Sequence, residues 1–280
     1  MMSTSARAPR TAASDRMAVV GVVGTRLNVH YRPGPGTPLV LCNGIGVGFD
    51  VLDPSVAALD PNRPVLRFDA PGAGGSPSTR VPYTIPGLAH SVTRALDELG
   101  IDTFDALGLS WGGAVAQQLA LRHPRRCRRL VLVATATGAV MVPAAPNVLT
   151  KMLTPRRFDD RDYAAAVAGS LYGGHMRGGW RTVLTAPMHE CAPRRSRTAY
   201  LQQLLAGALW TSILALPLIR QPTLVISGGD DQIVPAVNAT IMRTLLPRAT
   251  VHRHSGGHLD LITRPDVLAP IVDRFLDRAC

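Results

Sequence analysis

The chain has 280 residues, of which 46% are hydrophobic and 18% charged. This composition supplies a sizeable apolar core and excludes an intrinsically disordered chain. The net charge of +11 is carried almost entirely by arginines spread along the chain, and no nucleic-acid recognition motif accompanies them, so we predict no nucleic-acid partner. We expect the densest arginine cluster, within residues 122–129, to lie in solvent at a helix end.

Residues 1–16 are predicted to form a disordered leader. Arg7, Arg10 and Arg16 lie there among Ser, Thr and Ala, and no long apolar run follows them. This pattern is typical neither of a signal peptide nor of a membrane anchor. We therefore predict a cytoplasmic protein without a membrane span.

The four cysteines, Cys42, Cys127, Cys191 and Cys280, are scattered along the chain. They form no CxxC pair and no spacing typical of a metal site. We expect free buried thiols, and we predict neither a metal nor an organic cofactor.

Short apolar runs bounded by Gly, Pro and Asp predict buried strands. In chain order these runs are Met17–Val23, Leu27–Tyr31, Pro38–Cys42, Val65–Phe68, Phe104–Leu109, Leu130–Val133, Thr223–Ser227 and the weaker Thr250–Arg253. Helical patterns lie between or after them at Ile85–Leu99, Gly112–Arg122 and Pro265–Asp277. This alternation predicts an α/β fold, a mostly parallel eight-stranded sheet with helices on both faces.

The alternation breaks between about Gly138 and Ala215, over a stretch longer than an ordinary loop. We predict an inserted helical cap over residues 138–215, with the α/β core formed by residues 17–137 and 216–280. The cap contains a helical stretch at Thr198–Trp210. Four of its apolar side chains are assigned to a substrate pocket, with simple packing on the core as the alternative: Met141, Met152, Leu205 and Trp210.

The strongest local motif is Gly108-Leu109-Ser110-Trp111-Gly112, which matches G-x-S-x-G. A predicted strand precedes it and a predicted helix follows it, as a nucleophile on a sharp strand-to-helix turn requires. The turn raises the Ser110 hydroxyl above the sheet. It also places the Trp111 amide at a helix start, where it can stabilise a developing negative charge.

A serine hydroxyl needs a base to take its proton, and the base needs an acid to orient it. In this architecture the acid precedes the histidine along the chain. His258 follows a Gly-Gly pair after the last predicted strand and is the best base. Two aspartates follow Thr223–Ser227, and we favour Asp231 over Asp230 as the acid.

The second oxyanion donor is expected in the loop after Pro38–Cys42. The stretch Asn43-Gly44-Ile45-Gly46 allows a tight turn there, and we assign the Ile45 amide as the donor. The same glycines invite a dinucleotide-binding interpretation. Their spacing is wrong for it, and no helix signal follows, so we disfavour a Rossmann cofactor site.

Together these motifs resemble the α/β-hydrolase fold superfamily, in which they occur in the same order. The chain also resembles the intracellular depolymerases of medium-chain-length polyhydroxyalkanoates. The stretches that carry this second resemblance are Gly108–Gln118, Leu130–Pro143, Leu171–Gly174, Leu204–Ser212 and Gly256–Leu276. It implies hydrolysis of 3-hydroxyacyl esters at storage granules. The leader, Asp260 and residues 156–166 depart from the pattern and leave the substrate more open than the chemistry.

Three functions remain open. The first is ester hydrolysis through an acyl-enzyme on Ser110, with a polyester granule surface as a possible partner. The second is a small-molecule carboxylesterase or a carbon–carbon bond hydrolase that uses the same three residues. The third is a ligand receptor that performs no chemistry on this scaffold.

Overall fold

The computed structural model describes residues 16–22, 25–178 and 196–278. Eight strands form one sheet in the order β1-β2-β4-β3-β5-β6-β7-β8. β1 and β2 pair antiparallel, as do β2 and β4, and every other pairing is parallel. The predicted α/β fold with a mostly parallel eight-stranded sheet is confirmed. The strands are β1 (Arg16–Val22), β2 (Thr25–Arg32), β3 (Leu39–Cys42), β4 (Val65–Phe68), β5 (Phe104–Leu109), β6 (Cys127–Val133), β7 (Thr223–Gly228) and β8 (Ala249–His254).

Helices follow most of the strands, and four of the described helices lie in the connection between β6 and β7. The helices predicted at Ile85, Gly112 and Pro265 begin at those residues, and the one predicted at Thr198 begins at Arg197. The remaining helices were not predicted individually: most are short, and the three-turn α6 lies inside the predicted cap. The described helices are α1 (Asp53–Ala58), α2 (Ile85–Glu98), α3 (Gly112–Arg122), α4 (Pro146–Met152), α5 (Arg156–Asp159), α6 (Arg161–Tyr172), α7 (Arg197–Ala208), α8 (Val237–Leu245), α9 (Asp260–Thr263) and α10 (Pro265–Leu276).

The core lies on both faces of the sheet, because successive strand side chains point to opposite sides. In β3, Leu39 and Leu41 pack in one buried cluster, whereas Val40 and Cys42 pack in the other. The first cluster includes side chains of α1, α6 and α10, and the second includes side chains of α2, α3 and α8. Both faces are therefore covered, and the carboxyl ends of the parallel strands remain to carry polar groups.

The arginine cluster that follows α3 is more deeply embedded than we predicted. Arg129 is only 3% exposed, and its guanidinium donates to the carbonyl oxygen of Arg278. Arg128 forms a two-point ion pair with the fully buried Asp105. The prediction that these arginines lie in solvent is therefore wrong for Arg129. Its guanidinium is buried because a backbone carbonyl of the same chain accepts its hydrogen bond.

Several sequence predictions fall partly on residues that are not described. Cys42 and Cys127 are buried and free, as expected, whereas Cys191 and Cys280 lie outside the described residues. The predicted leader also lies outside them, except for Arg16, where β1 begins. Among the described helices, none is long and apolar enough to cross a membrane.

Candidate active site

Ser110 lies on a sharp bend between the end of β5 and the start of α3. Its φ of 54° is in the left-handed region, which costs a side-chain-bearing residue about 1–3 kcal/mol. The bend is held because the Ser110 amide donates to the Val133 carbonyl at 2.9 Å. A Cβ on Gly108 would overlap Gly113, and one on Gly112 would overlap the Cys42 carbonyl oxygen. Close backbone packing around the strained serine therefore requires glycine at both motif positions.

The imidazole of His258 reaches Ser110 from the loop after β8. Its Nε2 lies 2.8 Å from the Ser110 Oγ, and the side chain is buried. The His258 amide donates to the Tyr172 carbonyl at 2.8 Å, and the two rings are stacked with centroids 6.5 Å apart. The Gly257 amide donates to the carboxylate of the buried Asp260 at 3.1 Å. These contacts fix both the backbone and the ring of His258.

Asp231 completes a continuous hydrogen-bonded chain with His258 and Ser110. Its two carboxylate oxygens lie 2.8 and 3.0 Å from the His258 Nδ1. An ionised carboxylate can only accept, so Nδ1 donates to it, and the unprotonated Nε2 is available for the serine proton. The amides of Ile233 and Val234 donate to the Asp231 Oδ1 at 2.9 and 2.8 Å, which fixes the carboxylate.

Asp230, the alternative acid, is engaged elsewhere. Its carboxylate accepts from the Arg177 guanidinium at 2.6 and 2.8 Å and from the Gly174 amide at 2.7 Å. The hydrogen bond from Arg177 lowers the pKa of Asp230 to about 2. The structure therefore brings Asp231, and not Asp230, to the imidazole.

The loop that carries Ile45 follows β3 and lies beside Ser110. The Gly44 amide donates to the Asn43 Oδ1, and the Gly46 amide donates to the Gln203 Oε1, both at 2.7 Å. Within the described part of the chain, no partner takes the amides of Ile45 or Trp111. Two amides thus remain available at the edges of the serine site, as an oxyanion hole requires.

A small, largely apolar cavity of about 40 Å³ opens between the serine site and the β6–β7 connection. Ser110 and His258 line it, and Ile45 and Met152 are also in its wall. The other lining residues come from the core loops and from the β6–β7 connection: Asn43, Gly44, Val47, Val51, Leu109, Arg157, Phe158, Tyr172, Ile233, Leu259 and Ile262.

Three residues of the predicted pocket do not line this cavity. The Trp210 indole donates to the Gln118 Oε1 at 3.0 Å and packs in the cluster on the α2–α3 face. Leu205 is 42% exposed, and Met141 is partly exposed. Trp210 therefore packs on the core, the alternative considered above, whereas the assignment of Met141 and Leu205 to a substrate pocket stays a prediction.

Several side chains at the site carried no sequence signal. Gln203 of α7 is buried, accepts from the Gly46 amide, and receives the Trp111 indole N–H on its carbonyl at 2.9 Å. Arg157 and Tyr172 line the cavity. The contacts of Gln203 join residues far apart in sequence, which a local pattern does not reveal. Tyr172 lies in the stretch Leu171–Gly174 that carries the family resemblance, but its place in the cavity wall was not predicted. In the described ranges, no group of three His, Cys, Asp or Glu side chains is arranged to hold a metal ion.

Comparisons with known proteins agree with this architecture. Residues 37–265 match the model of the alpha/beta hydrolase fold family. The chain is 44% identical to a poly(3-hydroxyalkanoate) depolymerase from Ectopseudomonas oleovorans, over 90% of this chain and 89% of the relative. It is 29% identical to a 2-hydroxymuconate semialdehyde hydrolase from Pseudomonas sp. (strain CF600), over 91% and 92% of the two chains.

Among solved structures, the enol-lactonase from Burkholderia xenovorans LB400 superposes with a TM-score of 0.80 and 26% identity, covering 94% of this chain and all of that one. The family model spans most of the chain and includes Ile45, Ser110, Asp231 and His258. The chain therefore belongs to the α/β-hydrolase fold family.

Proposed function

We propose that this protein is a serine-dependent ester hydrolase that cleaves medium-chain 3-hydroxyacyl esters, including poly(3-hydroxyalkanoate). The observation that carries the proposal is the hydrogen-bonded line from the Ser110 hydroxyl through His258 to Asp231, with contacts of 2.8 Å at each step. The 44% identity to a poly(3-hydroxyalkanoate) depolymerase supports the choice of substrate class.

In the first half-reaction, His258 Nε2 takes the Ser110 proton as the serine oxygen attacks the ester carbonyl carbon. The amides of Ile45 and Trp111 stabilise the oxyanion of the tetrahedral intermediate. The bond from the carbonyl carbon to the ester oxygen then breaks. The leaving alcohol takes the proton from His258, which leaves an acyl group on the serine.

In the second half-reaction, His258 removes a proton from water, and the resulting hydroxide attacks the acyl carbon. The bond to the Ser110 oxygen breaks, the serine recovers its proton from His258, and the free acid leaves. Asp231 holds the imidazole in the required tautomer throughout and stabilises its charged form. No step requires a metal or an organic cofactor.

We also propose that residues 138–215 act as a cap over the site. The apolar cavity between this segment and the core suits an aliphatic acyl chain, but its volume of about 40 Å³ is far below the roughly 300 Å³ or more of typical ligand sites. A medium-chain substrate therefore requires side chains of the cap to move outward when it enters.

A polyester granule in the cytoplasm is the proposed site of action. The β6–β7 connection exposes several large apolar side chains, and exposed apolar groups on one region favour attachment to an apolar surface. These side chains are Val140, Leu149, Leu153, Leu201, Leu205, Leu209, Leu214 and Leu218.

A substrate panel tests the proposal against its alternatives. Purified protein is given oligomeric 3-hydroxyoctanoate, p-nitrophenyl esters and a vinylogous diketone, with Ser110→Ala as the blank and the exposed-serine variant Ser255→Ala as the matched control. We expect hydrolysis of the oligomer by the wild type and by Ser255→Ala, and none by Ser110→Ala.

Turnover of the diketone alone would overturn the ester assignment in favour of a carbon–carbon bond hydrolase. Turnover of p-nitrophenyl esters alone would indicate a small-molecule carboxylesterase. No turnover of any substrate would favour a ligand receptor.

A further inference from the structure

Arg157 is the second residue of α5, in the connection between β6 and β7. The residue is only 3% exposed and lines the same cavity as Ser110 and His258. Apart from His258, it is the one side chain in the wall of this cavity that can carry a positive charge. A cation in an otherwise apolar cavity is costly unless it has a partner, so its surroundings are informative.

The partners of this guanidinium within the described residues are all neutral, and they include the Lys151 carbonyl at 3.5 Å. Nη2 donates to the Tyr200 hydroxyl at 2.9 Å, and Nη1 donates to the Thr154 carbonyl at 3.2 Å. The guanidinium also lies over the rings of Phe158 and Tyr200, with Cζ 4.3 and 5.4 Å from their centroids. Among the described residues, no carboxylate pairs with it, and its Nε is buried without any hydrogen-bond partner. The chain thus orients the group without neutralising it.

Several other arginines in the described part of the chain pair with carboxylates. Arg63 contacts Asp273 at 2.7 Å, and Arg128 and Arg177 contact Asp105 and Asp230. The hydrogen bonds of Arg157 go instead to a hydroxyl and to backbone carbonyls. The Tyr200 hydroxyl donates its own proton to the Met152 carbonyl at 2.6 Å, so it accepts from Arg157 and holds the guanidinium in place. An oriented, unpaired guanidinium is suited to bind a carboxylate.

We infer that Arg157 binds the free carboxylate of the substrate and makes the enzyme selective for acid-terminated 3-hydroxyacyl oligoesters. This inference rests on the proposed ester hydrolase function. When the dimer of a 3-hydroxy acid is cleaved, the leaving group is itself a 3-hydroxy acid. Its carboxylate lies two carbons from the carbon that bears the ester oxygen. Carboxylate and scissile ester are therefore close together in the substrate, and both can lie in this cavity once it has widened as proposed above. Longer polymer would be trimmed from its acid end.

The test compares two substrates that differ only in charge: the dimeric ester of 3-hydroxyoctanoate as its free acid and as its methyl ester. We expect the wild type to prefer the free acid in kcat/KM by about tenfold or more, the range of one charge-assisted hydrogen bond. Arg157→Gln should remove this preference, and Arg157→Lys should keep part of it. Arg156→Gln is the matched control, because Arg156 is exposed and pairs with Asp160, and it should leave the preference unchanged.

The ratio of the two substrates is measured within each variant, so it does not depend on the fraction of protein that folds. An unchanged ratio in Arg157→Gln, or a wild type without preference, would overturn the inference. Calorimetry on Ser110→Ala gives a second measurement, in which the free acid should bind about tenfold more tightly than the methyl ester. If the wild type hydrolyses neither dimer, the proposed function fails, whereas equal binding of the two ligands overturns the role of Arg157.

Discussion

Replacing Asp231 by asparagine should lower kcat by about 10⁴-fold, as the same change does in serine proteases. The Ile233 and Val234 amides both donate to the Asp231 Oδ1, so the asparagine carbonyl oxygen takes that place. Its NH₂ group then faces the His258 Nδ1, which is 2.8 Å from the present Oδ2. Because this NH₂ group donates, Nδ1 must accept, and the ring proton moves to Nε2. A protonated Nε2 cannot take the serine proton. The loss corresponds to about 5.4 kcal/mol of transition-state stabilisation.

Asp230→Asn is the matched control, because it makes the same chemical change at the neighbouring residue. Asp230 faces Arg177, and the two side chains are 31% and 52% exposed, so solvent screens their ion pair. We expect its kcat to stay within about threefold of the wild type. The assay is turnover of p-nitrophenyl octanoate, after circular dichroism has verified folding. A kcat for Asp231→Asn within tenfold of the wild type, or a larger loss in Asp230→Asn, would refute the assignment.

Three further predictions follow from contacts around the site. Because Arg177 lowers the pKa of Asp230 from 3.8 to about 2, the stability that this pair contributes is fully present above about pH 4 and is lost as the pH falls through about 2. Urea unfolding should show the advantage over Asp230→Asn shrink across that range, and an advantage at pH 2 as large as at pH 5 would contradict it. Gly173 has a φ of 65°, and a Cβ there would overlap the Asp230 carbonyl oxygen. Gly173→Ala should therefore displace the loop that carries Asp230 and Asp231 and lower kcat about 100-fold, and unchanged kinetics would exclude this coupling. Burial raises the pKa of the Cys42 and Cys127 thiols, so neither should react with iodoacetamide in the native protein. Peptide mass spectrometry locates the labelled cysteines, and rapid labelling of either thiol in the native protein would contradict its burial.

The elements around Ser110 could be predicted from sequence because their signals are local. β5 and α3 have the bounds that the apolar pattern and the glycine motif indicated. The chain order of acid and base then selected Asp231 and His258, which the fold brings to Ser110. The choice between Asp230 and Asp231 depended on spacing alone, and the physical distinction arises only where Arg177 engages one of them.

The walls of the cavity could not be predicted in the same way. Trp210 matched the pattern of a pocket residue, yet it packs against Gln118, which is 92 positions away in the sequence. Arg157 was part of an unfamiliar stretch, and its partner Tyr200 is 43 positions away. Such long-range pairings depend on how the helices of the β6–β7 connection pack against each other, which hydrophobic periodicity does not encode.

The most direct test of the account is covalent labelling with a fluorophosphonate, which reacts with a serine whose proton is taken by a neighbouring base. The account predicts one adduct per chain, located by peptide mass spectrometry on Ser110, and no adduct in Ser110→Ala. Labelling that persists in Ser110→Ala, or a wild type that stays unlabelled beside an esterase that reacts, would contradict it.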